Sequence, residues 1–194
     1  MQAIYHYFKR RATWPVAAAL LLLFIVLQQG FEWRRSQLDT RLKVLDGRLW
    51  YTPAEARCFL DEIKADGRHL YAATQWTLDL AFVCVFVSLQ CVFLANLWQP
   101  KQAWVLLVPL LGALFDLLEN GFTAYLALSY DGQANPVATV SAGCTAAKLA
   151  FYLVGSPLVF IVGIVCQSRR DKAAKSAGSV ATTSSGENGH ESGR

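Results

Sequence analysis

The 194 residues are 54% hydrophobic, 12% aromatic and only 16% charged, against about 25% charged in an average soluble domain. The net charge of +4 comes largely from the two ends, which excludes the concentrated basic surface of a nucleic-acid-binding protein. Charges fall in a few blocks and leave four long apolar segments, each meeting the roughly 20 residues needed to cross a hydrocarbon core of about 30 Å.

Residues 1–11 form a short basic leader ending in Lys9, Arg10 and Arg11. The first apolar segment, about 12–31, contains no A-x-A-like cleavage site, so it reads as an uncleaved signal anchor rather than a signal peptide. Residues 32–75 are the one substantial connection, with eight Lys/Arg against seven Asp/Glu. Within it, Thr52, Pro53 and Glu55 predict a helix start: an N-cap, a proline at the first helical position and the acid of a capping box. Ala56, Phe59, Leu60 and Ile63 then recur on one face of a helix over 53–66, which Asp66-Gly67 would end or kink. Three placements suit this helix: on the membrane surface, over the bundle mouth, or as a solvated connector.

The second segment, 76–98, carries Asp79 and Gln90, close together around a helix. A tight turn over 99–102 leads into the third, 104–128. There Pro109, Gly112, Asp116, Glu119, Asn120, Thr123 and Ala127 follow helical spacing and make one stripe of small and polar residues. Such a stripe belongs inside a bundle, where small residues let helices approach and polar ones find partners. Asp116 falls near the middle of its segment, where an unpaired charge costs at least about 3 kcal/mol in a bilayer. Residues 129–142 form a turn-rich loop, and the fourth segment, 143–166, carries Lys148, Tyr152 and Gly155 at i, i+4 and i+7. Residues 168–194 open with Arg169-Arg170-Asp171-Lys172 and continue rich in Ser, Gly, Thr and Ala, a composition that predicts disorder. The expected fold is therefore all-α: a four-span membrane domain over 12–167 with an amphipathic helix in its first loop.

Asp79, Asp116, Glu119, Asn120, Lys148 and Tyr152 can be drawn as a single interior cluster. One lysine cannot neutralise three carboxylates, which leaves at least one acid in need of another partner. Three uses suit such a cluster. Asp116 and Glu119 contact, or act catalytically on, a lipid-like or small apolar ligand, with Asp79, Asn120, Lys148 and Tyr152 binding or orienting. Alternatively the cluster is interhelical glue in a non-enzymatic assembly protein, Lys148 pairing with Glu119 or Asp79. The third use is proton-coupled transport, which four spans without an internal repeat would need a homodimer to support. A cavity reaching the acids separates the first use from the second, and a water path from both sides marks the third.

No cofactor or metal is expected. The five cysteines include no C-x-x-C pair, and the three histidines fall outside the four segments. Gly155-Ser156-Pro157 lacks the G-x-S-x-G pattern of a hydrolase elbow. The expected partners are membrane lipids and a lipid-like ligand. Basic residues at both ends, and their absence from 129–142, predict a cell-membrane protein with cytoplasmic termini.

Tyr51-Thr52-Pro53-Ala54-Glu55-Ala56, then Gly67-Arg68 and Tyr71, then Asp79, then Asp116, Glu119 and Asn120 resemble a set of small bacterial four-span integral membrane proteins of unassigned function. More loosely, four spans with interior carboxylates look like the emopamil-binding and sigma-2-receptor group. That likeness implies an interior acid that handles a cationic or carbocation-like ligand.

Overall fold

The structure is a computed structural model that describes residues 1–38 and 40–187. It is all-α, and four of its helices are long and apolar enough to cross a membrane. The basic leader is itself helical, α1 (Gln2–Arg11), and a break at Ala12 and Thr13 leads to α2 (Trp14–Ser36), started by Pro15 in its first turn. α2 runs past residue 31 into Trp33, Arg34 and Arg35. Apolar patterning marks only the part of a helix suited to hydrocarbon, whereas backbone hydrogen bonding carries it on into charged sequence.

The connecting segment folds over one end of the bundle. α3 (Pro53–Glu62) begins with the expected capping box: the Glu55 amide donates to Thr52 Oγ1 at 3.3 Å, and the Thr52 amide donates to Glu55 Oε2 at 2.7 Å. Its face of Ala56, Phe59, Leu60 and Ile63 is buried against Leu126, Ala127, Ala138 and Ala142. Of the three expected placements, the bundle mouth is the one observed. The expected break at Asp66-Gly67 is not. The chain turns at Lys64, whose φ of 58° is the one positive value at a non-glycine among the described residues. Gly67 lies inside α4 (Lys64–Thr74), where a Cβ would come within 2.9 Å of Ile63 Cβ. Its missing side chain thus serves the close approach of α3 and α4.

α4 then runs without interruption through a π-helical turn, Gln75–Asp79, into α5 (Leu80–Leu97). The second long helix is therefore Lys64–Leu97 rather than 76–98. His69 rides on this helix, exposed, rather than in a separate loop. After the 3-10 turn Pro100–Leu106 comes α6 (Leu107–Leu128), then α7 (Val137–Leu149), a second π-helical turn at Ala150–Gly155, and α8 (Ser156–Glu187). The fourth long helix thus starts before residue 143. It also continues to Glu187, through sequence whose composition predicted disorder; extending a nucleated helix costs far less than starting one. Residues 188–194 of that segment lie outside the described residues.

α6 is central, packed on α4, α5 and α7, while α2 leans on α5 from outside. The two ends of the bundle differ. At the end bearing α1, Tyr5, Cys91, Leu94, Trp98, Val105 and Leu106 pack into an apolar plug. At the end bearing α3 and α4, buried polar groups gather on the inner faces of α4–α5, α6 and α7.

Candidate functional site

The small and polar stripe of α6 faces inward as its spacing predicts: Gly112, Asp116, Glu119, Asn120 and Thr123 are all buried. Lys148 reaches them from α7. Its Nζ stands 2.8 Å from Asp116 Oδ1 and 2.5 Å from Glu119 Oε2. The contact with Asp116 is a directed hydrogen bond, whereas that with Glu119 is an ion pair without such alignment. Glu119 Oε1 accepts from Thr145 Oγ1 at 2.6 Å, and Thr123 Oγ1 donates to the Glu119 carbonyl at 2.9 Å. Glu119 is 0% and Asp116 2% exposed. The two carboxylates expected to meet a ligand are thus enclosed by a lysine, a threonine and their own helix.

Tyr152 enters the cluster from the π-helical turn Ala150–Gly155 and lies on Gly112. A Cβ on Gly112 would overlap the Tyr152 ring, so glycine is what lets this helix pair close here. The ring meets Phe86 edge-on at 5.0 Å, and its hydroxyl is buried without a hydrogen-bond partner.

Asp79 has a different setting. It ends the other π-helical turn and is 6% exposed, and its Oδ2 has no hydrogen-bond partner. Asp116, Lys148 and Asp46 lie within electrostatic reach of it, and the neutral Asn120 side chain stands beside its carboxyl. The amide of Asn120 is likewise unpartnered at both ends. π-helical turns are rare and concentrate at functional sites; here both carry residues of the cluster.

Asp79 and Lys148 line a cavity of about 260 Å³ between α2, α4–α5 and the loop at residues 44–47. Asp116 and Glu119 do not line it. Gln75, one turn before Asp79, and Tyr71, a turn earlier, form its polar wall with Asp46. Tyr71 Oη donates to Asp46 Oδ1 at 3.2 Å and Gln75 Nε2 to Asp46 Oδ2 at 3.3 Å. The lining also has an apolar part, with Phe31, Leu38, Val44 and Phe82, and Glu32, Arg34 and Arg35 stand on it from α2. The rings of Phe31 and Phe82, 5.5 Å apart, join α2 to α5 along this side.

All six residues expected in one cluster are therefore neighbours, but Asp116, Glu119 and Lys148 form an enclosed ion triad, Asp79 and Lys148 line the cavity, and Asn120 and Tyr152 are buried beside them without lining it. Tyr71, Gln75 and Asp46 were missed. Tyr71, Gln75 and Asp79 share a helical face at i, i+4 and i+8, but starting the span at residue 76 cut that face in two. Ser141 and Thr145, both buried, likewise precede Lys148 and Tyr152 on one face of α7 and its extension. Gln90 does not join the cluster; it accepts a bond from Ser156 Oγ at 2.7 Å. No family model, curated protein or solved structure matches the chain, so these residues alone carry its functional reading.

Proposed function

We propose that this is a multi-pass membrane protein that binds a lipid-like ligand in the cavity between α2 and α4–α5, with Asp79 meeting the ligand's polar head. The observation that carries this reading is the pairing of an apolar aromatic wall with a buried acid whose Oδ2 has no partner. Small-molecule sites have that make-up: mostly apolar surface and a few convergent polar groups. A buried carboxylate oxygen without a donor is costly unless something supplies one. Asp116, Glu119 and Lys148 support the site from behind, as an ion triad that fixes α6 against α7.

Interhelical glue thus suits Asp116 and Glu119, whose oxygens face Lys148 and Thr145, but not Asp79. The apolar plug of Leu94, Trp98 and Leu106 at the opposite end favours a binding pocket over a two-sided proton path. Basic residues at both ends support placement in the cell membrane with cytoplasmic termini, and the lack of an A-x-A-like cleavage site supports an uncleaved α2. Gln2 bonds the Pro100 carbonyl at 2.8 Å and Arg170 bonds Gln102 at 3.1 Å, which gathers α1, the 99–102 turn and the start of the basic C-terminal segment at one end.

Native mass spectrometry of the protein released from membranes tests the reading. The expected result is a co-purified amphiphile that is lost when Val44→Trp fills the cavity and when Asp79→Asn changes its acid. Retention of the same adduct in both variants would place it on the outer surface and overturn the reading.

A further inference from the structure

The polar wall of the cavity specifies the ligand's head more closely than an acid alone does. Gln75 is 1% exposed and donates its Nε2 to Asp46, which fixes the amide's orientation and leaves Oε1 as a buried acceptor without a donor. Asp79, at i+4 on the same face, leaves Oδ2 in the same condition. Both residues line the cavity. Two adjacent orphaned acceptors call for a group with several N–H donors. A primary ammonium has three, whereas a quaternary ammonium has none and needs an aromatic cage instead. Asp46 adds a second carboxylate on the same wall. The lysine that also lines the cavity already faces Asp116 and Glu119, so a cation at this wall meets net negative charge.

A second charge is provided for along α2. Gly30 meets Leu78, which places the level of Asp79 near residue 30 of the antiparallel helix. Arg34 and Arg35 lie four and five residues further along α2, about 6–8 Å along the axis from Asp79 and nearly level with Gln75 at helical rise. Among the described residues neither guanidinium has an ion pair, and Arg34 rests over the Trp33 ring at 5.4 Å. Arginine forks suit phosphate oxygens. Phe31 and Phe82 line the cavity with them, and α2 carries apolar exposed side chains beyond it, such as Leu23 and Val26.

We infer that the cavity takes a lipid whose primary ammonium is joined by a short linker to a phosphate, the ethanolamine type of phospholipid head, with the ammonium at Gln75 and Asp79 and the phosphate at Arg34 and Arg35. This rests on the binding function proposed above and names its ligand class. The acyl chains run along the apolar flank of α2 and α5, so the lipid form is bound rather than soluble phosphoethanolamine.

The test is a native mass spectrometry titration of the full chain in detergent with four probes: phosphatidylethanolamine, phosphatidylcholine, a long-chain primary amine and soluble phosphoethanolamine. The inference expects phosphatidylethanolamine to bind at least about tenfold more tightly than phosphatidylcholine, a difference of about 1.4 kcal/mol. That preference should collapse in Gln75→Met and in Asp79→Asn. Arg34→Gln with Arg35→Gln should weaken phosphatidylethanolamine and leave the long-chain amine unchanged. Equal affinity for the two phospholipids in the wild type overturns the inference, and this comparison needs no variant to fold. If the long-chain amine binds as tightly as phosphatidylethanolamine, the phosphate assignment fails while the binding function stands. Soluble phosphoethanolamine binding equally well overturns the lipid assignment. If none of the four binds, the proposed function itself falls.

Discussion

Lys148 Nζ lies 2.8 Å from Asp116 Oδ1, so the one lysine of the interior cluster is committed to α6 and not to Asp79. The same ammonium also faces Glu119. Removing one member of a buried ion group leaves its partners charged and unpaired, whereas replacing the whole group with neutral residues is often tolerated. Lys148→Met should therefore destabilise the protein by about 3–5 kcal/mol. Adding Asp116→Asn and Glu119→Gln to that variant should restore most of the loss. Unfolding in detergent followed by circular dichroism measures both; a triple variant no more stable than Lys148→Met alone would contradict the ion-triad account.

Gly112 and Tyr152 give a steric prediction. Because a Cβ at residue 112 would overlap the Tyr152 ring, Gly112→Ala must displace the ring or part the helices, an overpacking cost of about 1–3 kcal/mol. Gly121, which has nothing within 4 Å of its Cβ position, is the control. Gly121→Ala should be neutral or slightly stabilising, since alanine favours helix. Equal unfolding midpoints for the two variants would mean that the α6 contact with Tyr152 is looser than described.

Outside the long helices, Tyr130 gives a pH signature. Burial and the Asp61 carboxylate, which accepts its hydroxyl at 2.6 Å, push the phenol up to about 12. The unfolded chain titrates near 10. Between these values the folded state holds the extra proton, so this contribution to stability is whole below about pH 10 and lost as pH rises toward 12. Phenolate absorbance, taken as the difference from Tyr130→Phe, should show the high titration. Asp61→Asn should return it toward the ordinary value. A Tyr130 that ionises near 10 in the wild type would show that the bond to Asp61 does not hold in solution.

How much was legible in the sequence follows from how each feature is encoded. The inward stripe of α6, the buried face of α3 and the capping box at Thr52 are periodic signals within single helices, and side-chain spacing reports them directly. The extension of α5 back to Lys64 was hidden because hydropathy marks where a helix is apolar, not where it begins. That error separated Tyr71 and Gln75 from Asp79. The choice of Lys148's partners depends on how α7 rotates against α6, and pairing with Asp79 satisfied the sequence equally well. Asp46 joins the site only because the loop at residues 44–47 folds down onto α4, a long-range placement with no local pattern. The π-helical turns, which aim Asp79 and Tyr152, have no recognisable residue signature here.

On the proposed reading the acids are divided: Asp116 and Glu119 hold the bundle and Asp79 is kept for a ligand. The most direct measurement is the unfolding midpoint, in ligand-stripping detergent, of Asp79→Asn beside Lys148→Met. An unchanged or raised midpoint is expected for Asp79→Asn, because replacing a buried carboxyl that lacks a partner relieves a cost that functional sites carry, and a marked fall for Lys148→Met. A fall in Asp79→Asn as large as that in Lys148→Met would make Asp79 part of the same structural network and contradict the division.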